Sequence, residues 1–298
     1  MKFAINASSL KSIGRAHIIS SKVMVEVEFS ISTLPYVWRL PLNQAVLRIK
    51  SFGFNTIEIR ASKPDAWARE ISPEQRRAVR GLVESQGMKI GSLTPDWGDI
   101  NLASPNPGMR LESVKQVKEA IKFAGDLGGK YFTILPGRQH TMGQAPREIA
   151  TQLSIQSLAE CAAEAEANDV LLCMEGANGQ LFEKEEDLVN VVKEVGSKVL
   201  RIAADVAIAN TVSSPVEYVR KIRDYIGSVH LADNDGRPNA HLPFGIGKMN
   251  FTPLLKELLN TCHDKYWMFE LWYPEDPDSA VRSAKRFADM VLAKKGLG

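Results

Sequence analysis

Glu175, Asp205, His230 and Glu270 are the residues of this chain best able to hold a divalent ion or move a proton. They follow one another at separations of 30, 25 and 40 residues. Each separation is about the length of one strand-plus-helix unit, and each residue sits at or near the end of a short apolar run, such as LLCM before Glu175 and WMF before Glu270. A single acid in such a place caps the next helix or solvates a rim as readily as it does chemistry. Four in register on consecutive runs converge on one point. Three carboxylates and one neutral imidazole suit one divalent ion, Mn²⁺ foremost, then Mg²⁺ or Co²⁺, with Zn²⁺ less distinctive for an oxygen-rich set. Acids behind apolar runs are costly to bury unpaired, and a cation offsets that cost.

The runs themselves repeat. VMVEVEFSIST (23–33), NTIEIR (55–60), KIGSLT (89–94), KYFTILPG (130–137), DVLLCMEG (169–176), KVLRIAAD (198–205), GSVHLAD (227–233) and YWMFEL (266–271) alternate with amphipathic stretches. Alternation of this kind is the signature of parallel βα units. After Pro41, the positions Ala45, Val46, Ile49 and Phe52 share one helical face, and Gly53 ends it. Ser72 with Pro73 and Gln75 forms a cap with proline in the first turn and a side chain able to close a capping box, and Gly87 ends that helix. Eight units predict one (β/α)8 TIM barrel over 22–298, with a short N-terminal extension at 1–21 that has no clear period. Catalytic groups in that architecture project from the C-terminal strand ends, where the four residues stand. Neither GxGxxG nor GxxxxGK[ST] occurs.

Composition narrows the partners. The 298 residues are 44% hydrophobic and 24% charged, and 37 Lys plus Arg stand against 35 Asp plus Glu. A net charge of +2 gives no global reason to seek phosphate backbones or anionic membranes, so the expected partner is a small molecule, with neither nucleic acid nor membrane. Self-association as a homo-oligomer is left open. Cys161, Cys173 and Cys262 lack metal-site spacing and are odd in number, and no export signal is apparent, so a reducing cytoplasm is expected.

HLADNDG (230–236) leading into HLPFGIGKMNF (241–251), together with the Glu, Asp, His, Glu strand-end pattern, resembles the xylose-isomerase-like TIM barrels. That superfamily holds sugar isomerases, ketose 3-epimerases and endonuclease-IV-like enzymes. The resemblance runs from about residue 26 to 290. NLASPNPGMRLESV (101–114) and IEIRASKPDAW (57–67) are similar to the isomerase/epimerase branch, although Asp65 stands where the fructoselysine-type subgroup has His. The resemblance implies metal ligation by Glu175, Asp205, His230 and Glu270, with Glu175 and Glu270 also as the acid/base pair. It implies a metal-dependent isomerase or epimerase of a sugar or sugar derivative, working by proton abstraction next to a carbonyl. A trinuclear zinc nuclease of this superfamily would need further ligands where this chain has Leu135, Ile208 and Asn239.

Other positions offer substrate contacts. His241 touches substrate or buttresses its own loop; His140 reaches the mouth or stays a loop residue; Arg237 binds a sugar hydroxyl or phosphate, though its offset from His230 departs from the substrate arginine of ketose epimerases. Trp67 and Trp97 stack on a sugar or pack over the barrel top. Glu58 is a second partner of the site or an interior charge paired with Arg60. A metal-dependent lyase or dehydratase on a keto-inositol or 3-keto-glycoside would use the same ion and base, whereas a non-catalytic sugar-binding barrel would keep the pocket but not need the two glutamates, whose presence argues against it.

Overall fold

The computed structural model describes residues 27–64, 66–95, 98–139, 142–262 and 264–295. Residues 1–21, read as an extension, lie outside them. Eight parallel strands close into a barrel in sequence order: β1 (Phe29–Ser32), β2 (Thr56–Ala61), β3 (Lys89–Pro95), β4 (Tyr131–Ile134), β5 (Leu171–Glu175), β6 (Leu200–Asp205), β7 (Ile226–Leu231) and β8 (Tyr266–Phe269). Pairing of β8 with β1, from Phe29 opposite Trp267 to Ile31 opposite Phe269, leaves no edge. The helices are α1 (Leu42–Ser51), α2 (Pro73–Ser85), α3 (Pro107–Asp126), α4 (Arg147–Ala167), α5 (Glu185–Val195), α6 (Val206–Val212), α7 (Pro215–Ile222), α8 (Phe251–Thr261) and α9 (Pro277–Lys295). The first strand is shorter than its apolar run: β1 begins at Phe29, although the Glu28 carbonyl already accepts from the Trp267 amide of β8 at 3.4 Å.

Local signals act where the sequence puts them. Ala45, Val46 and Ile49 are the buried face of α1, and Gly53 takes a φ of 90° just beyond its end. Ser72 and Gln75 close the capping box of α2, each side chain accepting from the other's backbone amide at 3.3 and 2.8 Å. Cys161, Cys173 and Cys262 are buried free thiols. Among the described residues no helix is long and apolar enough to cross a membrane.

What the strands place inside the barrel is unusual. Ser92 Oγ lies 3.1 Å from the Tyr266 hydroxyl, and Thr133 Oγ1 lies 3.5 Å from His230 Nε2. Each contact joins strands that are not neighbours, so these side chains cross the lumen. With a side-chain period of two, Ile57, Ile59, Leu93, Phe132 and Val229 then point outward against the helices, and all are fully buried. Most barrels of this type fill the lumen with branched aliphatics. Here Ser32, Glu58, Ser92, Thr133, His230 and Tyr266 line it, and the apolar core is the layer between strands and helices.

Candidate metal centre

β5 and β6 end on Glu175 and Asp205, β7 carries His230 one residue before its end, and Glu270 directly follows β8. The barrel's closure brings one ligand atom from each within 4.8 Å of every other. His230 Nδ1 lies 3.1 Å from Glu175 Oε2 and 3.2 Å from Glu270 Oε2. Glu175, Asp205 and His230 are 7%, 1% and 2% exposed, and Glu270 is half-buried, so the group meets solvent mainly through Glu270.

The donor set fits a divalent cation. His230 Nδ1 is buried and, despite two carboxylate oxygens close by, makes no hydrogen bond of acceptable angle. A nitrogen and two oxygens set around a common point, rather than aimed at one another, is the geometry of ligands around an ion. Thr133 Oγ1 near Nε2 is the contact that fixes the ring from behind.

The protonation states of the metal-free site point the same way. Burial raises the Glu175 carboxyl, and the charge on Glu270 raises it further. Burial also acts upward on Glu270, but the close approach of His230 and the charges of His241, His230 and Arg60 outweigh it and hold that carboxyl low. At His230 burial opposes the cation, yet the closeness and charge of Glu175 and Glu270 carry it well above the ordinary range. Protons therefore supply the positive charge that three clustered acids require.

Asp205 serves two neighbours. Oδ1 accepts from the Ile208 amide at 2.7 Å and so caps α6, while Oδ2 lies 3.3 Å from His241 Nε2. His241 is brought there by the segment between β7 and α8. Asp233 is 2% exposed, and its carboxylate accepts from the amides of Asn234, Gly245, Gly247 and Met249 at 2.8 to 3.2 Å. Gly247 is required for that fold-back, because a Cβ there would meet the Asn234 amide nitrogen at 2.7 Å. Asn239 takes a φ of 54°, which asparagine tolerates, and its carbonyl faces His241 Nδ1 at 3.1 Å.

The remaining candidates are dispersed. Arg237 is solvent-exposed and its Nε donates to Asp235 at 2.8 Å, so its guanidinium is engaged outside the cluster. Trp67 is half-buried, with Lys63 Nζ 5.1 Å above its ring. Trp97 and His140 lie outside the described residues. Arg60 Nη1 lies 3.8 Å from Glu270 Oε1, and Glu58 accepts from Ser92 Oγ at 2.9 Å. Period two in IEIR puts residues 58 and 60 on one face, a signal that both enter the lumen. Partner choice is set by height along the barrel axis, which the sequence does not print.

Comparison with known proteins agrees with the barrel fold. The profile of the xylose isomerase-like TIM barrels matches residues 46–290. The chain belongs to that family. Among related xylose isomerase-like barrels, an uncharacterized protein of Methanocaldococcus jannaschii is 27% identical over 282 residues, covering 92% of this chain and 94% of its own. The fructoselysine 3-epimerase of Shigella flexneri is 24% identical over 254 residues, 83% of this chain and 91% of that enzyme. A solved D-tagatose 3-epimerase-like protein superposes with a TM-score of 0.79 at 23% identity, over 91% of this chain and 99% of the other. An L-ribulose-5-phosphate 3-epimerase of Salmonella typhi is 22% identical over 254 residues, 83% of this chain and 89% of that enzyme.

Proposed function

We propose that this protein is a divalent-metal-dependent epimerase or isomerase acting on a sugar or sugar derivative through proton abstraction beside a carbonyl. The observation that carries the reading is the flanking of His230 Nδ1 by Glu175 and Glu270 from different strands, at 3.1 and 3.2 Å. The epimerase activity of the relatives supports it. Glu175, Asp205, His230 and Glu270 would hold the ion, with Mn²⁺ the best fit to three carboxylates and an imidazole. When bound, the ion polarises a ketose carbonyl and the neighbouring hydroxyl and makes the proton between them easier to remove.

Proton movement then falls to the two glutamates. One takes the proton from the substrate carbon and the other returns one; return from the opposite face inverts the carbon. Arg60 beside Glu270 favours the ionised form there, and the more enclosed Glu175 more readily holds a proton. His241, backed by Asp205, is placed to donate to a substrate oxygen. A narrow, largely buried floor excludes water from the charge that develops.

The test is metal analysis of the purified protein followed by incubation with a panel of ketoses, keto-inositols and 3-keto-glycosides in D₂O. Deuterium incorporation at the carbon beside the carbonyl, without loss of a leaving group, is the expected result. Loss of mass by elimination would replace this reading with a lyase. Glu175→Gln and Glu270→Gln should each lose at least about a hundredfold in turnover; near wild-type turnover in either variant refutes the acid/base assignment.

A further inference from the structure

Chemistry around the cluster is lopsided. Towards β1, β2 and the segment after β7 it is polar and cationic, with Arg60 3.8 Å from Glu270 and His241 3.3 Å from Asp205. Just beyond β4, β5 and β6 it is apolar. Leu135, Ala177 and Ile208 pack on one another there, 9%, 8% and 3% exposed, as a cluster separate from the main core. Leu135 directly follows β4, Ala177 stands two residues past Glu175, and Ile208 stands three past Asp205. The three therefore adjoin the ligand-bearing ends of β5 and β6.

This shelf is fixed rather than adaptable. The Ile208 amide donates to Asp205 Oδ1 at 2.7 Å, so the residue that contributes to the candidate metal cluster also sets the position of the isoleucine. Thr211 Oγ1 donates to the Ile208 carbonyl at 2.7 Å, and Asn178 Nδ2 donates to Thr211 Oγ1 at 2.9 Å. The Leu181 amide donates to the Gly137 carbonyl at 2.8 Å, tying the segment after β5 to the one after β4. The polar groups bordering the shelf are thus bonded to each other. Leu135 and Ala177 stand two residues past Thr133 and Glu175, on the strand face that looks into the barrel, so the apolar surface adjoins the candidate cluster.

We infer that Leu135, Ala177 and Ile208 form a specificity wall, and that the ketose this site takes carries hydrogen or an alkyl group, not a hydroxyl or a phosphate, on the carbon lying against Ile208. The inference rests on the sugar reading above. A hydroxyl pressed on the shelf gives up water and gains no partner, a loss of about tenfold to a hundredfold in specificity. A methyl group in the same place gains apolar burial, about fourfold per carbon.

The experiment uses Mn²⁺-loaded protein with D-fructose and D-tagatose, their 1-deoxy and 6-deoxy derivatives, and their 1- and 6-phosphates. Deuterium exchange in D₂O gives kcat/KM, and calorimetry gives Kd. One deoxy ketose should exceed its parent by at least about tenfold in both readouts. Ile208→Thr and, on a different strand, Leu135→Asn should each narrow that ratio severalfold, chiefly through KM and Kd, with metal content unchanged. Circular dichroism confirms that each variant is folded, and Ala177→Ser serves as a smaller change of the same sign. Equal or greater preference for the parent ketoses or phosphates, or a ratio that none of the folded variants moves, overturns the inference while leaving the sugar reading in place. No exchange and no binding with any ketose overturns both.

Discussion

Charge and hydrogen-bonding capacity are separable at Asp205, because Oδ1 caps α6 through the Ile208 amide while Oδ2 faces His241. Asp205→Asn keeps an oxygen for the cap and loses the anion. Metal content should fall strongly while the metal-free protein melts close to wild type. Asp205→Ala loses both, and the missing cap should cost a further ~1 kcal/mol. Metal analysis and thermal denaturation separate the two effects, and a fully metallated Asn variant would remove Asp205 from the ligand set. Glu58 allows a different test. It is fully buried with Oε1 unpartnered, and burial, reinforced by Glu270, pushes its carboxyl from 4.5 up to about 7. Between those values the folded state binds more protons than the unfolded state, so the contribution of Glu58 to stability falls as pH rises. Glu58→Gln mimics the neutral form. In metal-free protein, the variant and wild type should be equally stable below about pH 4.5 and diverge above it. The variant should be the more stable by on the order of 2–3 kcal/mol above pH 7. Denaturant titrations at pH 4.5 and 8 read the gap directly, and a gap independent of pH contradicts the account.

Strands and loops differ in how much of their role shows in the sequence. The ends of β5, β6, β7 and β8 were legible because a carboxylate or imidazole closing an apolar run leaves a mark on the chain, and four marks one unit apart define a barrel mouth. Ser72 with Gln75 was legible for the same local reason. The polar lumen was not: in IEIR and KIGSLT the period of two shows two faces, but not which one looks inward. The segment after β7 was legible only as a resemblance. Its organising contact, Asp233 with amides up to 16 residues away, joins positions that no local rule connects. That contact makes a prediction about the loop as a unit. Asp233→Ala would strand the amides of Asn234, Gly245, Gly247 and Met249 in a buried setting and cost roughly 2–4 kcal/mol. The loop should become sensitive to proteolysis between 241 and 250. Metal content should persist, since the loop between 233 and 250 supplies none of the four ligands. Unaltered proteolysis in this variant would mean that the loop is held by other contacts.

Four consecutive strands each bring one candidate ligand to the barrel mouth, so an ion bound there would tie β5 to β8 and favour the closed barrel. Linkage then makes the ion a stabiliser of the whole molecule: at a free concentration a hundred times its dissociation constant it adds ~2.7 kcal/mol. For a domain of this size that corresponds to a rise in Tm of roughly 4–5 °C. Dialysis against a chelator should lower Tm by that amount, and Mn²⁺ should restore it in proportion to the logarithm of its concentration. The effect should depend on pH with a definite sign. Glu175 and His230 both hold protons more tightly than usual in the metal-free site, and the ion must displace them. Stabilisation by a fixed Mn²⁺ concentration should therefore grow as pH rises through about 7, where the Glu175 carboxyl releases its proton. Metal binding followed by calorimetry in buffers of different ionisation enthalpy should show proton release over the same range. In Asp205→Asn both the rise in Tm and the proton release should shrink together. A Tm indifferent to chelator and to Mn²⁺ would place any bound ion outside the four strand ends and leave their mutual repulsion to be balanced by His230, His241 and Arg60.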